Sequence, residues 1–522
     1  MSGAAIFLFA LAMSFLPDAI ALPRCAPPWR RSTAALATHA FSVATVFLLT
    51  LAVSTRPLFA GFVALSLTGL LVVVSNAKYA SLREPLVFTD LSLFSQLFRH
   101  PRMYLPFLSA GSVLVLGIGM AVFMGVLVLS TPLPEASQGL LVGGAAVCAL
   151  IHALAARALP LTNQPDTDQS HHGFYTVFVA GLLNGLPPST GKTLRTAMSR
   201  GPFSRTAEPA TRPDVIVIQS ESFFDARRLG PEVRADLLPY FDATCAGAVQ
   251  CGQLEVPAWG ANTMRTEFSL LSGLGAAEQG YARFYPYAYI RKPCTSLAGW
   301  FSRAGYHTVA MHPYHGDFFG RDRVMPLLHF DQFLDIRHFD GAQRAGPYVA
   351  DLAVADAIQA QLEAAGDSPA FIMAMTIENH GPLHLERVSA GEAASYHAFG
   401  EGKPWDDLTA YLRHLVNADA MIGQLTRYLA GRKRPAVLCF YGDHVPALSE
   451  VYRQTGVQPT DSEYLIWRSD AAPTPSPRQE RVRTRIESLG QLLIDLISVP
   501  LPASHGAGAS RTNAASTENQ QH

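Results

Sequence analysis

Three residues follow two apolar segments and could together build a metal-dependent reaction centre. Glu221 comes directly after the run that includes Asp214–Gln219, and Asp443 and His444 come after Ala436–Tyr441. Carboxylate and imidazole groups suit Mn²⁺ or Zn²⁺, which accept mixed oxygen and nitrogen ligands. Taken singly, an acidic residue after a strand is more often a helix cap or a surface turn, and an Asp-His dipeptide is common. Because all three residues lie at the ends of predicted buried strands, a metal-binding role is favoured for the set.

A threonine stands where an apolar helix is expected to begin. The segment 259–268 reads WGANTMRTEF and places Thr263 ahead of the apolar residues up to Leu271. On its own, the commoner interpretation is a helix cap made by Asn262 or Thr263. The alternative uses the same geometry, because a hydroxyl at a helix N-terminus feels the positive end of the helix dipole and can be ionised by a neighbouring metal. Nearby N–H groups would then stabilise a phosphoryl oxygen.

Two further loops carry polar candidates: the first has histidines and arginines, and the second has a histidine. The segment 311–323, MHPYHGDFFGRDR, contains four such residues, namely His312, His315, Arg321 and Arg323. This composition suits a phosphate-bearing ligand, and it fits a solvated loop with surface salt bridges about equally well. His380 follows another apolar run and should point towards the same edge, although an ordinary loop histidine is the plainer interpretation.

The elements that must position these residues alternate between short apolar strands and helices. We predict buried strands at Asp214–Gln219, Tyr306–Met311, Ala370–Thr376 and Ala436–Tyr441. We predict helices at Thr295–Ala304, Ala350–Ala364 and Asp407–Ala430. This alternation is typical of an α/β layered domain with a largely parallel sheet, in which ligands gather at the carboxyl ends of the strands. The candidate reactive residues lie at those ends.

The first third of the chain is apolar enough to cross a membrane several times. Hydrophobic residues make up 49% of the 522 residues and charged residues only 16%, where about 25% is usual in soluble proteins. Five runs approach the roughly 20 apolar residues that span a bilayer, at Gly3–Leu22, Ala34–Val53, Pro57–Ser75, Leu105–Ser130 and Gly139–Ala156. The first lacks the basic start of a signal peptide and contains Asp18, which favours a transmembrane helix. The net charge of −1 does not indicate nucleic-acid binding.

Composition divides the chain into four regions. We predict a transmembrane domain of about five helices at 1–158, a linker at 159–212, an α/β domain at 213–501 and a disordered tail at 502–522. Within the linker, Phe174–Leu186 is too short to span and reads as an interfacial or docking helix. Cys245 and Cys251 are close enough for a small disulfide loop if the domain is exported, and free buried thiols fit about equally well.

The basic residues of the loops give an orientation of their own. The first loop carries Arg24, Arg30 and Arg31, and the third carries Lys78, Arg83, Arg99 and Arg102. Under the positive-inside rule both loops would be cytoplasmic. With five spans, the α/β domain would then lie in the cytoplasm as well.

Taken together and in this order, the segments resemble the lipoteichoic acid synthase and phosphoglycerol transferase family of the alkaline phosphatase/sulfatase superfamily. The resemblance covers nearly the whole chain and includes the third loop, in the pieces Asn76–Tyr79, Leu82–Leu86 and Thr89–Leu91. It implies a polytopic α-helical membrane domain followed by a sulfatase-like, alkaline phosphatase-like α/β catalytic domain. That domain would lie outside the cytoplasm, on a multi-pass protein of the cell (inner) membrane. The basic third loop would then face outwards, where Lys78 and Arg83 could meet anionic lipid head groups.

The resemblance also implies a role for each candidate residue. A single divalent metal, usually manganese with Zn²⁺ or Mg²⁺ as alternatives, would be held by Glu221, Thr263, Asp443 and His444. Thr263 would be the nucleophile that attacks a phospholipid head-group phosphate, releases diacylglycerol and becomes phosphorylated. Four further residues match or adjoin the contacts to the glycerophosphate group, namely Arg321, Phe319, His312 and His380. Phe319 and Gly320 replace a Trp-Asn pair that the family often has before the arginine.

The activity implied is transfer of phosphoglycerol from phosphatidylglycerol to a cell-envelope glycan or a polyglycerolphosphate chain. Phosphoethanolamine transferases share the metal site and the threonine chemistry, but their usual GETAR-like nucleophile segment is absent here. They are the second interpretation. A sulfatase would need a C/S-x-P-x-R segment for formylglycine formation, and none stands at the position of Thr263.

Overall fold

The computed structural model describes residues 2–92, 110–133, 137–205, 208–471 and 481–498. The N-terminal part is built from helices, which are α1 (Gly3–Met13), α2 (Leu16–Ala19), α3 (Thr33–Ser54), α4 (Pro57–Leu82), α5 (Ala110–Leu129) and α6 (Gln138–Arg157). Among the described helices, α3, α4 and α6 are long and apolar enough to cross a membrane. Three of the five predicted spans are thereby confirmed as helices of spanning length.

The other two predicted spans differ from the prediction or lie partly outside the described residues. The first is shorter than Gly3–Leu22, because the chain leaves α1 at Ser14 and forms the separate helix α2. Asp18 in α2 is buried, and its carboxylate lies 2.6 Å from Arg31 Nη1. The fourth, Leu105–Ser130, begins outside the described residues, and its described part is the helix α5.

The connection between the two regions is more ordered than its composition indicates. It forms three helices, α7 (Pro165–His172), α8 (Phe174–Gly185) and α9 (Pro188–Arg200). The apolar helix α8 packs against α3 and α6, and its Phe174 and Phe178 are buried beside Val72 of α4. The apolar residues of the predicted linker therefore find cover on the membrane helices, which favours helical structure over an extended connection.

The α/β region contains an eight-stranded sheet. Its strands are β1 (Asp214–Ser220), β2 (Gln250–Glu255), β3 (His307–Met311), β4 (Gln332–Leu334), β7 (Ala370–Met375), β8 (Ala436–Gly442), β9 (Ser462–Arg468) and β10 (Thr484–Arg485), while β5 (Arg344–Ala345) and β6 (Tyr348–Val349) form a separate hairpin. The order is β10-β2-β9-β8-β1-β7-β3-β4. The five strands from β8 to β4 are parallel, and β9 runs antiparallel between β8 and β2. The predicted α/β class is confirmed, with a mixed rather than a wholly parallel sheet.

Helices cover both faces of this sheet. They are α10 (Pro239–Ala246), α11 (Thr263–Ser272), α12 (Ala276–Gln279), α13 (Leu297–Arg303), α14 (Arg321–Leu327), α15 (Asp351–Ala364), α16 (Trp405–Ala430), α17 (Ser449–Thr455) and α18 (Ile486–Ser498). Successive residues of β1 belong to opposite faces, because Val215 and Val217 pack with α11 and α18 while Ile216 and Ile218 pack with α15 and α16. A strand buried on both faces reads as the continuous apolar run seen in the sequence.

The third loop of the membrane region docks on the α/β region beside α11. Glu84 receives two hydrogen bonds from Arg265 of α11, and Lys78 Nζ lies 2.7 Å from both Glu84 and Asp90. The guanidinium of Arg83 stacks 4.2 Å above the ring of Trp259. Lys78 and Arg83, expected to face lipid head groups, are instead engaged in contacts within the protein.

Two predictions on the cysteines and the tail have simple outcomes. Cys245 and Cys251 are both buried, and both are free thiols in this structure. Of the two alternatives, a disulfide or free buried thiols, the structure therefore has the second. The predicted disordered tail, 502–522, lies outside the described residues.

Candidate active site

The carboxyl edge of the parallel strands gathers most of the candidate residues. Neighbouring strands β8, β1, β7 and β3 end at this edge. Glu221 follows β1, Asp443 and His444 follow the end of β8, His380 follows β7 and His312 follows β3. Because parallel strands end on the same side, residues separated by more than 200 positions are brought together here.

Three buried side chains form a group that could hold a metal ion. One ligand atom from each of Glu221, Asp443 and His444 lies within 4.8 Å of the others. His444 Nε2 is 3.3 Å from Asp443 Oδ2 and 3.7 Å from Glu221 Oε1. Among the described residues, Asp443 Oδ2 has no hydrogen-bond donor although it is fully buried. An unsatisfied buried carboxylate oxygen is costly, and a divalent cation at this point would satisfy it.

Ser222 orients two of these carboxylates. Its backbone N–H donates to Asp443 Oδ1 at 2.8 Å, and its hydroxyl donates to Glu221 Oε1 at 2.9 Å. Ser222 itself adopts a left-handed conformation with φ of 55°, which is strained for a residue other than glycine. Gly442 is required nearby, because a Cβ there would lie 2.0 Å from the carbonyl oxygen of Phe223. The strained turn after β1 therefore serves to aim the carboxylates at one point.

Thr263 is the first residue of helix α11, whose first turn contacts the loop that carries Asp443. Asn262 and Gly260 ahead of it are both left-handed, with φ of 68° and 67°, so the chain turns sharply into the helix. The side chain of Asn262 makes no capping hydrogen bond. One turn later, the hydroxyl of Thr266 donates to the backbone carbonyl of Asp443 at 2.7 Å. The helix N-terminus is thereby tied to the loop that carries the carboxylate, although a role for Thr263 as ligand or nucleophile remains a proposal.

Arg321 is held by the same helix. Its guanidinium is fully buried and pairs with Glu267, with Nη2 at 2.8 Å and Nε at 3.1 Å from Oε2. Tyr287 also donates its hydroxyl to Glu267. Glu267 lies four residues after Thr263 in α11, so one helix carries both the threonine and the group that orients the arginine. Within the described residues, Nη1 of Arg321 is buried and has no hydrogen-bond partner, which suits binding of a phosphoryl oxygen.

The two predicted histidines, His312 and His380, both have pKa values below the usual value for histidine. Burial, followed by the charge of Arg321, places the pKa of His312 well below its usual value. His312 Nδ1 lies 3.1 Å from the carbonyl oxygen of Met375 and must donate to it, which leaves Nε2 as an acceptor. Burial also lowers the pKa of His380, whose Nδ1 bonds the Gly381 carbonyl at 2.7 Å.

Phe319 lies on the other side of Arg321. The guanidinium carbon is 5.3 Å from the centre of the Phe319 ring. Phe319 has a φ of 57° and Gly320 a φ of 71°, so a bulky residue is held in a left-handed conformation. Arg323 and His315, the other two candidates from this loop, have different surroundings from Arg321. Arg323 donates to the backbone carbonyls of Ile290 and Tyr287, and His315 is exposed.

A model of the sulfatase family matches residues 213–497, which is more than half of the chain. The chain belongs to the sulfatase family. Over 523 aligned positions it is 29% identical to the capsular polysaccharide biosynthesis protein RkpI of Rhizobium meliloti (strain 1021), covering 93% of each protein. It is also 29% identical over 305 residues to a protein of the same organism whose name gives cyclic beta-1,2-glucan modification as a provisional role, covering 58% of this chain and 46% of that one.

One solved structure shares the fold of this protein along almost its whole length. This is the integral membrane protein lipooligosaccharide phosphoethanolamine transferase A of Neisseria meningitidis, with a TM-score of 0.54 at 14% identity. The match covers 95% of this chain and 96% of that one. The arrangement of apolar N-terminal helices followed by a sulfatase-like α/β domain is therefore shown for the full chain.

Four site residues were missed by sequence reasoning. They are Ser222, Glu267, Tyr287 and Asn379. The side chain of Asn379 is buried, and neither its oxygen nor its nitrogen has a partner among the described residues. Only Glu267 left a signal in the sequence, because a residue four positions after Thr263 lies on the same face of the helix.

The metal group should bind cations more tightly as the pH rises. Burial, and then the neighbouring Asp443, raise the pKa of Glu221 to about 8 in the metal-free protein. Below that pH a proton must leave before a cation binds, so the apparent affinity for Zn²⁺ or Mn²⁺ should rise about tenfold per pH unit from pH 6 to 8 and then level off. Calorimetric titration of chelator-treated protein would measure this.

Two variants control that experiment. Asp443→Ala should abolish the binding. Glu463→Gln should preserve its pH dependence, because Glu463 is another buried carboxyl whose pKa is raised by burial, to about 7, but which pairs with Arg228 instead of joining the metal group. An affinity that does not change between pH 6 and 8 would contradict the assignment.

Proposed function

We propose that this chain is a membrane-bound phosphotransferase that moves a phosphoglycerol group from phosphatidylglycerol to an envelope glycan through a phosphorylated Thr263. The observation that carries the proposal is the convergence on helix α11. Its first residue is the threonine, Thr266 is tied to the metal group, and Glu267 aims Arg321. A hydroxyl, a cation site and a free guanidinium nitrogen in one place are the parts that phosphoryl transfer requires.

The first half of the reaction uses these parts in order. The oxygen of Thr263 forms a bond to phosphorus, the bond from phosphorus to the diacylglycerol oxygen breaks, and the threonine proton ends on diacylglycerol. Arg321 Nη1 and the N–H groups at the start of α11 stabilise the charge on the phosphoryl oxygens. A divalent metal held by Glu221, Asp443 and His444 would lower the pKa of the threonine hydroxyl and screen the phosphate charge. In the second half an acceptor hydroxyl displaces Thr263.

Neutral hydrogen-bonding groups support glycerol as the transferred head group. His312 presents Nε2 as an acceptor, and the Asn379 amide offers both a donor and an acceptor without other partners among the described residues. Hydroxyl groups pair with such atoms. An ammonium, which only donates, can use the acceptors of these groups but not the donor of the Asn379 amide.

The acceptor is proposed from the relatives. Their names refer to a capsular polysaccharide and to cyclic beta-1,2-glucan, and one of them matches along 93% of both proteins. A glycan of the cell envelope is therefore the acceptor class that we favour over a polyglycerolphosphate chain.

We place the catalytic domain outside the cytoplasm, against a literal count of loop charges. Three of the basic residues in that count are engaged within the protein. Arg31 pairs with the buried Asp18, Lys78 pairs with Glu84, and Arg83 stacks on Trp259. The proposed location follows from the substrates, because the lipid donor and the envelope glycan are both reached outside the cytoplasm.

A donor assay with the purified full-length protein tests the function. Phosphatidylglycerol and phosphatidylethanolamine, each labelled in the acyl chains, are supplied with Mn²⁺ in separate reactions. We expect diacylglycerol release from phosphatidylglycerol only, and none after chelation. Release from phosphatidylethanolamine alone would establish the phosphoethanolamine alternative, and release from neither lipid with metal bound would refute the proposal.

A further inference from the structure

A cavity at the carboxyl edge of the sheet has no part in the proposed reaction steps. It has a volume of about 570 Å³, within the range of ligand pockets in proteins. The loop after β3, the β5–β6 hairpin and the loop after β7 enclose it. His380 lines the cavity and also follows the strand that ends at the metal group. The cavity therefore lies at the same edge of the sheet as the metal group.

Aromatic rings form the inner wall. Tyr314 and Tyr348 lie 6.5 Å apart with their planes at 67°, and the ring of Tyr348 is 5.8 Å from that of His380. Both tyrosines are half-buried. Two tyrosine faces set at a steep angle present flat apolar surfaces with polar edges, and the C–H face of a pyranose ring packs on surfaces of this kind.

Polar and charged groups line the same space. Arg344 and His315 are exposed at the cavity, and the Glu386 carboxylate is fixed by His414 and Arg413. These groups can exchange hydrogen bonds with sugar hydroxyls. A lipid acyl chain would desolvate the exposed side chains of Arg344 and His315, which is unfavourable. An acyclic polyglycerolphosphate would use the cations but not the flat ring faces.

The inner end of the cavity lies within electrostatic reach of the metal group. The pKa of Tyr348 is raised by burial first, then by Tyr314 and by the carboxylate of Glu221. The charge of Asp443 likewise acts on His380. A ligand in contact with Tyr348 and His380 therefore lies within electrostatic reach of the metal group.

We propose that this cavity is the acceptor subsite and that it binds the terminal sugar of a neutral glycan, with Tyr348 packed on the sugar ring. The inference rests on the proposed function. A hydroxyl of that sugar forms the new bond to phosphorus, the bond from phosphorus to Thr263 breaks, and the proton of the sugar hydroxyl ends on the threonine oxygen.

Replacement of Tyr348 tests the subsite in the full-length protein. With a linear β-1,2-gluco-oligosaccharide as acceptor, Tyr348→Ala should raise the acceptor KM by about tenfold, the equivalent of one lost aromatic stacking contact. Tyr348→Phe keeps the ring and should stay within about twofold of the wild type. Tyr240→Ala removes a partly exposed tyrosine that does not line the cavity and should leave the acceptor KM unchanged.

Three results would overturn the proposal. One is an unchanged acceptor KM in Tyr348→Ala. The second is an equal rise in KM for the lipid donor, which indicates a general structural role. The third is a loss confined to polyglycerolphosphate as acceptor.

A binding measurement separates this proposal from the donor assignment. Saturation-transfer NMR of the oligosaccharide with wild-type protein should show contacts that weaken in Tyr348→Ala, whether or not any lipid is cleaved. Contacts of equal strength in both proteins would refute the subsite even if phosphatidylglycerol proves to be the donor. Contacts that weaken as expected, without diacylglycerol release, would refute only the donor assignment.

Discussion

Replacing Thr263 with alanine is expected to abolish diacylglycerol release from the donor lipid, with a loss of about 10³-fold or more. The reason is that a missing covalent nucleophile removes the first half of the reaction, and losses of this size or larger are found for such residues. Thr263→Ser should keep measurable turnover because it keeps a hydroxyl. Thr263→Val matches threonine in shape and should be as inactive as alanine.

The magnitude decides between a nucleophile and a helix cap. Loss of a capping side chain costs about 1 kcal/mol of stability, which would not reduce a turnover rate a thousandfold in a protein that stays folded. Circular dichroism of Thr263→Ala should therefore match the wild type. Its metal affinity should remain measurable, because Glu221, Asp443 and His444 are unchanged.

Mass spectrometry of the trapped intermediate completes the test. Wild-type protein quenched during turnover should carry one phosphoglycerol group on the peptide that contains Thr263, and Thr263→Ala should carry none. A phosphorylated residue elsewhere, or turnover by Thr263→Ala above about 1% of the wild type, would show that the threonine is not the nucleophile.

The central strands and their reactive ends could be predicted because they depend on local sequence. β1, β7 and β8 are buried on both faces, so each reads as an unbroken apolar run. The general rule that parallel strands present ligands at their carboxyl ends then placed Glu221 and Asp443 together. The rule needs no knowledge of which strands are neighbours, which explains why it worked.

Strand β9 escaped prediction because it buries charges. Its sequence, SEYLIWR, contains Glu463 and Arg468, which are both buried. The Glu463 carboxylate pairs with Arg228, 235 positions away. The Arg468 guanidinium pairs with Asp470 just beyond the strand and donates to the carbonyl of Leu496. Buried charges look like loop residues until their partners are known.

The side chains that orient the site were hidden for the same reason. Glu267 is 54 positions from Arg321, and Ser222 is 221 positions from Asp443. A serine or glutamate in a helix or turn is ordinary by itself. Only the three-dimensional structure shows that Glu267 binds two nitrogens of the Arg321 guanidinium, while the third has no hydrogen-bond partner among the described residues.

Replacing Glu84 with alanine is expected to destabilise the protein by about 3–5 kcal/mol, because it leaves Arg265 buried without its partner. Arg265 is only 3% exposed, and both of its terminal nitrogens bond Glu84. Burial alone would raise the pKa of Glu84, but Arg265 and Lys78 outweigh it and hold the pKa well below 4.5. A depressed carboxyl pKa contributes stability that is fully present above pH 4.5 and is lost as the pH falls towards the folded value.

Unfolding by denaturant in detergent would measure this loss, with two controls. Asp236→Ala removes an ion pair with Arg234 in which the side chains are 69% and 50% exposed, and it should leave the free energy of unfolding nearly unchanged. A double variant, Glu84→Leu with Arg265→Leu, removes both charges and should recover most of the loss. A double variant as unstable as Glu84→Ala would show that packing, and not an uncompensated charge, accounts for the effect.

The same pair should link the membrane region to turnover. Arg265 lies two residues after Thr263 and bonds Glu84, while Arg83 stacks on Trp259, four residues before Thr263. The third loop therefore contacts the chain on both sides of Thr263. At temperatures where Glu84→Gln remains folded, we expect its kcat for diacylglycerol release to fall about tenfold with little change in metal affinity, because a looser helix N-terminus presents Thr263 less often in the attacking position. An unchanged kcat would mean that the α/β domain positions Thr263 unaided and that the loop serves only as an anchor. A fall in both kcat and metal affinity would mean that the loop supports the whole edge of the sheet.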